Sequence, residues 1–179
     1  MTRSNLSLLD TKKQEPQHHR RIKSFVLRQG RMTIAQEQAL KTVWSKWGLG
    51  TPLSEASQQP ENIEQIKSQT VFGNDHEIVV EIGFGMGDSL IAMAMERPET
   101  NYIGIEVHTP GIGRLLQRIE EEQLSNVRVF HADAIEIFNL YFAPESLSAV
   151  YLYFPDPWQK RRHNKRRIVK ASFIHLIYS

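Results

Sequence analysis

Apolar residues along this chain change their period near residue 77. Before it, Leu40, Val43, Trp44 and Trp47 fall at three- and four-residue steps, which places them on one face of a helix. Thr33 with Gln36 has the form of a capping box, in which a hydroxyl and an amide satisfy free backbone N–H groups reciprocally. Gly48, Gly50 and Pro52 stop that helix, and the Trp pair reads as core rather than as a base-stacking platform. After Glu77, short apolar runs alternate with helical stretches. Ile78-Val79-Val80-Glu81-Ile82 predicts a buried strand, and Gly83-Phe84-Gly85-Met86-Gly87 a tight turn. Asp88 to Arg97 predicts a helix with Leu90, Ile91, Ala94 and Met95 on one side, ended by Pro98. Tyr102 to Glu106 predicts a second strand, followed by a helix from about Gly113 to Glu122. Val127 to His131 predicts a third strand, with a short helix after Asp133. Leu147 to Phe154 predicts a fourth strand. A last helix is expected after Asn164, carrying Ile168, Val169, Phe173, Ile174 and Ile177.

Strands that alternate with helices imply parallel strands joined by right-handed crossovers, an α/β sandwich. Near-continuous apolar strands fit a sheet covered on both faces. The expected organisation has four parts. Residues 1–19 are a polar, disordered arm. Residues 20–50 are a basic segment and the capped helix. Residues 51–76, rich in Ser, Gln and Glu with Pro52, Pro60 and Gly73, are a linker. Residues 77–179 are the main domain.

Charge sharpens this division. The chain of 179 residues has a net charge of +2, but the charge is segregated. Residues 1–31 carry +6, residues 32–157 carry −11 and residues 158–179 carry +7. Six cations fall between Lys160 and Arg167, and close-set like charges repel unless something neutralises them. That run reads as a footprint for nucleic acid ahead of the alternative, a merely solvated face. No apolar run approaches the ~20 residues of a membrane span, and the N-terminus has no long apolar core, so neither a span nor a secretory signal is expected. Cysteine is absent, which removes thiolate nucleophiles and thiolate metal sites and fits a cytoplasmic location. No metal is expected. The pattern leaves oligomeric state open, with a monomer as the working expectation.

In open α/β sheets ligands sit beyond the carboxyl ends of the strands. The polar residues there look like a site. Strand one runs through Glu81 into the glycine turn, strand two ends at Glu106, strand three leads to Asp133 and strand four to Asp156. Gly83, Gly85 and Gly87 make G-x-G-x-G, with Asp88 where a dinucleotide motif has its third glycine. A carboxylate there, with Glu81 upstream, is a poor neighbour for pyrophosphate. S-adenosylmethionine has no phosphate; it offers a sulfonium cation, a ribose diol and an adenine amine. Glu106 can accept from the ribose hydroxyls and Asp133 from the adenine amine. The bland alternative for the glycines is a strand-to-helix turn without a ligand.

Four motifs together, E-I-G-F-G-M-G (81–87), G-I-E-V-H (104–108), H-A-D-A (131–134) and F-P-D-P-W-x-K-x-R-H-N-K-R-R (154–167), resemble the bacterial tRNA (guanine-N7)-methyltransferase family, within the class I methyltransferases. The segment 20–31 is similar to that family's N-terminal region. The glycine turn is shared by class I methyltransferases at large; P-D-P-W joined to R-H-N-K-R-R is the specific part. The resemblance implies methyl transfer from S-adenosylmethionine to N7 of guanine 46 in the tRNA variable loop. It implies that Glu81, the glycines, Glu106 and Asp133 bind the cofactor and that Asp156 stands at both cofactor and catalytic centre. It also implies that Lys160 contacts substrate and that Arg162, His163, Asn164, Lys165, Arg166 and Arg167 lie against RNA. Gln159 departs from the His that the family often carries, so no proton-transfer role is assigned to it. Trp158 is left between two readings, stacking on the base and packing against the last helix. The family's sheet has seven strands and four are predicted here, so the chain is expected to lack the C-terminal strands of the sheet. The alternatives are an RNA-binding fragment without turnover and an adenine or cytosine amino methyltransferase.

Overall fold

The computed structural model describes residues 30–51, 64–155 and 158–178. The expectations for the arm and for residues 20–29 of the basic segment lie outside these. The elements are α1 (Ile34–Trp47), α2 (Ser68–Phe72), β1 (Ile78–Ile82), α3 (Asp88–Glu96), β2 (Asn101–Glu106), α4 (Thr109–Glu121), β3 (Val127–His131), α5 (Ala134–Tyr141), β4 (Ala149–Leu152), a 3-10 turn (Arg161–Arg166) and α6 (Ala171–Tyr178). The four strands form one parallel sheet in the order β3-β2-β1-β4. The chain therefore winds outward from β1 to β3, then returns to lay β4 on the other side of β1.

Each face of the sheet carries its own core. On one face α1, α3 and α4 cover Val79, Tyr102, Val127 and Val129. On the other α5, α6 and α2 cover Ile78, Val80, Ile82, Ile103, Ile105 and Phe130. This is the two-sided cover that the apolar strands predicted. The inner stripe of α4, made of Ile112, Leu115, Leu116 and Ile119, is fully buried. Truncating any one of these to Ala costs about 2–5 kcal/mol.

The capping box is present. Thr33 Oγ1 accepts from the Gln36 amide at 3.2 Å, and Gln36 Oε1 accepts from the Thr33 amide at 2.9 Å. α1 packs onto α4, where a Cβ on Gly113 would meet the Gln36 backbone and side chain at 2.8 Å. Trp47 is core, as expected: it is buried, and its indole N–H donates to Glu120, which also accepts from Lys46. The Arg128 guanidinium lies over the rings of both Trp47 and Phe72 and donates to the Val71 carbonyl, so one side chain of β3 ties α1 and α2 to the sheet.

Four boundaries differ from those predicted. The helix expected from about Gly113 begins at Thr109. Pro110 sits in its first turn, where a missing N–H costs nothing and the fixed φ suits the helix. Within the stretch expected to be linker, Ser68–Phe72 form a helical turn closed by Gly73 at φ 74°. The fourth strand is shorter than Leu147 to Phe154: it pairs with β1 over Ala149–Leu152 only, and beyond it Phe154 takes φ 49°. Ile168 and Val169 lie ahead of α6 rather than on it. Like charges three and four apart oppose a continuous helix, and the cation run instead closes a 3-10 turn through the Arg167 amide onto the Asn164 carbonyl.

Candidate cofactor edge and cation turn

Parallel register decides which side chains share a face. Glu81 pairs with Gly104 and Tyr151, and Glu106 pairs with His131. All of these project toward the α3–α4 face, so two of the predicted carboxylates share one side of the sheet near its carboxyl ends.

Glu81 is 2% exposed. Its Oε1 accepts from Ser89 Oγ at 2.5 Å, and its Oε2 has no protein partner. Burial pushes the carboxyl above its ordinary value, and the Ser89 hydrogen bond opposes that shift. A half-satisfied buried carboxylate is costly unless a cation or a donor completes it. Gly104 beside it leaves room for Phe84, which folds back from the glycine turn into the core; a Cβ on Gly104 would meet Phe84 and Leu90 at 2.7 Å.

The glycine turn needs its glycines. Gly83, Gly85 and Gly87 take φ of 70°, 62° and 85°, the left-handed region where a Cβ is strained. Nothing lies within 4 Å of a Cβ built on Gly83 or Gly85, so the turn presents bare backbone to open space. Its position is set by Glu106. That carboxylate accepts from the Gly85 amide at 2.9 Å through Oε2, and from the Val107 and His108 amides at 2.7 and 2.9 Å through Oε1. The turn and the β2–α4 corner are thus wired together through one side chain. Gly111 completes the contact, because any Cβ there would run into the Gly85 carbonyl oxygen.

Asp133 caps α5, its Oδ1 accepting from the Ile135 amide at 2.9 Å. At the β4 end, Phe154 is 98% exposed. Asp156 and Pro157 lie outside the described residues. Trp158 takes φ 40°; Arg166 lies over its ring at 5.0 Å, and His163 meets it edge-on at 5.5 Å. Arg167 donates to its carbonyl at 3.4 Å. Desolvation and then the positive charges of Arg162, Arg166 and Lys160 hold the His163 pKa below its usual value. Lys160, Arg162, Asn164, Lys165 and Arg167 are exposed on this turn, and Arg166 is half-buried against the indole.

Sequence reasoning did not assign Ser89, Gly111 or His131. Ser89 stands in the first turn of the helix after the glycines, where a hydroxyl can reach back to the strand. Gly111 gave no signal of its own, since its contact with Gly85 is made only in three dimensions. His131 was visible as the last residue of strand three, but its Glu106 partner follows only from the register.

A doubly wound parallel sheet with ordered carboxylates and a bare glycine turn at its carboxyl edge defines an α/β ligand-binding layer of the Rossmann kind. Residues 75–179 match a family model described as "Putative methyltransferase", and the chain belongs to that family. It is 52% identical over 162 residues to the tRNA (guanine-N(7)-)-methyltransferase of Hydrogenovibrio crunogenus, covering 90% of this chain and 63% of that relative. It is 49% identical over 166 residues to the protein of the same name from Shewanella pealeana, covering 93% and 66%. The chain spans about two thirds of the length of the curated relatives it matches. Among solved structures it is similar to an antibiotic-related methyltransferase (TM-score 0.40, 22% identity, 49% of this chain and 45% of that one). It is also similar to geranyl diphosphate C-methyltransferase from Streptomyces coelicolor (TM-score 0.37, 16% identity, 67% and 54%). The motif resemblance holds at the level of the family. Among the described residues, no helix is long and apolar enough to cross a membrane.

Proposed function

We propose that this chain carries the S-adenosylmethionine-binding and guanine-facing parts of an enzyme that methylates N7 of guanine 46 in tRNA. The observation that carries the reading is the edge itself: a bare glycine turn pinned by Glu106, beside a buried carboxylate with one oxygen free. The donor set fits the cofactor. Glu81 would face its positive charge, Glu106 its ribose hydroxyls, Asp133 its adenine amine, and the backbone at Gly83, Gly85 and Gly87 would lie along it. When bound, S-adenosylmethionine supplies an electrophilic methyl group. The names of the relatives, and the likeness over the F-P-D-P-W and R-H-N-K-R-R motifs, support tRNA as the acceptor.

The chemistry asks little of the protein beyond placement. Guanine N7 has an exposed lone pair and no proton, so no base is needed before transfer. Rate acceleration comes from holding N7 close to and in line with the methyl group. Asp156 orients the guanine through its N1–H and amino donors, or balances positive charge developing on its ring. Lys160 and the cations of residues 162–167 grip phosphates and fix register without reading sequence. Arg166 and His163 clasp Trp158, which favours a Trp158 that braces the turn over one that stacks on the base. A cytoplasmic location follows from this substrate.

The test is transfer of a labelled methyl group to a tRNA carrying guanine at position 46, and to the same tRNA with 7-deazaguanine there. The expected result is labelling of the first only. Equal labelling of both would move the acceptor to another atom, and an adenine or cytosine product would replace this reading with an amino methyltransferase.

A further inference from the structure

The β2–α4 corner that positions Glu106 is itself held from behind by a side chain with no assigned role. His131 ends β3, is 2% exposed and stands beside Glu106 in the parallel register. Its Nε2 lies 3.3 Å from the Val107 carbonyl oxygen and 3.3 Å from Thr109 Oγ1. A carbonyl oxygen can only accept, so the hydrogen bond to Val107 requires the proton on Nε2. Nδ1 then carries a bare lone pair, and it is buried without a partner. Burial pushes this imidazole below its usual pKa, although the Val107 hydrogen bond and nearby Glu106 oppose the shift.

An apolar side chain of similar size would fill the same space without burying a bare lone pair. What only the histidine adds is the Nε2–H donor. Its acceptors flank the amides that matter: Val107 and His108 donate to Glu106 Oε1, while Val107 O and Thr109 Oγ1 meet His131. The corner is thus clamped from both sides, by a carboxylate on its N–H groups and by an imidazole on its carbonyl. We infer that His131 is a positioning residue, protonated on Nε2, that fixes the β2–α4 corner and through it the orientation of Glu106 and the glycine turn. This rests on the cofactor edge proposed above.

Two measurements test it. Two-bond 15N–1H spectra of the imidazoles at neutral pH, with the His131 signal assigned by its loss in His131→Gln, report the tautomer without any ligand. The Nε2–H form is expected; an Nδ1–H form or an imidazolium would overturn the inference. Calorimetric titration of S-adenosylmethionine is then compared across wild type, His131→Gln and His131→Leu. Glutamine can place an N–H donor where Nε2 stands, so it should bind within about threefold of wild type. Leucine should bind about tenfold weaker or worse, with kcat at saturating cofactor changed far less than KM. If leucine and glutamine behave alike, whether both bind normally or both fail, the donor has no role and the inference is wrong. If wild type does not bind S-adenosylmethionine at all, the underlying reading falls with it, while the tautomer result stands apart.

Discussion

The β2 corner and the β4 corner lie at the same edge of one sheet and are built in opposite ways. At β2 the strand is fully buried, and the terminal carboxylate accepts three backbone amides. The following helix presses its backbone against the glycine turn. At β4, the last strand of the sheet, the turn beyond the strand is held by rings and cations: Arg166 lies over Trp158 and His163 meets it edge-on. Phe154 and Trp158 both take left-handed backbone angles, and cations follow. The difference matches what each corner would hold. A small cofactor needs a preformed, rigid cradle, whereas a large polyanion can help to order the turn that grips it. Left-handed φ at two bulky residues is a local cost of about 1–3 kcal/mol each, the kind found where function over-determines the backbone.

The largest effect should come from striking the rigid corner where it is tightest. Gly111→Ala places a Cβ against the Gly85 carbonyl and should cost at least about 1–3 kcal/mol of stability. It should also abolish measurable S-adenosylmethionine binding, as read by thermal unfolding and calorimetry. Glu106→Gln comes next. An amide side chain keeps one acceptor and loses the charge, and affinity should fall about ten- to a hundredfold, from hydrogen bonds to a charged group worth about 1.5–3 kcal/mol.

Glu81→Gln should split two properties. The folded carboxyl has its pKa raised by burial. The native state therefore binds the extra proton between the unfolded and folded pKa values. Glu81 contributes stability below the unfolded value, about 4.5, and that contribution is lost as pH rises through the folded one. At pH 7 the variant should unfold at a higher temperature than wild type, and the gain should vanish in acid. Its affinity for the cationic cofactor should fall. Parallel loss of both stability and affinity would break the claim that the buried, half-satisfied carboxylate is kept for a ligand.

The open corner should respond differently. Arg166→Ala with Arg167→Ala should leave cofactor binding unchanged. It should flatten the salt dependence of tRNA affinity by about 0.7–0.9 for each lost phosphate contact. Phe154→Ala should be smallest in stability, since the side chain is almost wholly exposed.

Most of the layer architecture was legible in the sequence, because buried parallel strands write continuous apolar runs. Ile78–Ile82 and Val127–His131 appear with the boundaries read from those runs. The capping box was legible because it is local. What could not be read depended on contacts between distant segments. The early start of α4 hides in a Thr-Pro-Gly sequence that also suits a loop. The glycine at 111 has meaning only because another backbone presses on it. The same holds within the site: Glu81 and Glu106 stood out as carboxylates at strand ends. That one is half-satisfied by Ser89 while the other already holds three backbone amides, with an acceptor site left on Oε2, follows only from the fold. At the carboxyl end the cations masked a break in the helix, since Ile168 and Val169 continue the apolar pattern while like charges upstream oppose it.

The division of labour between the corners can be tested in one calorimetric experiment. S-adenosylmethionine is titrated, without tRNA, into wild type and into the Arg166→Ala, Arg167→Ala variant. One site per chain is expected, with the same affinity in both proteins. No binding to wild type, or binding that fails when the two arginines are removed, would contradict a cofactor edge that is complete without the cation turn.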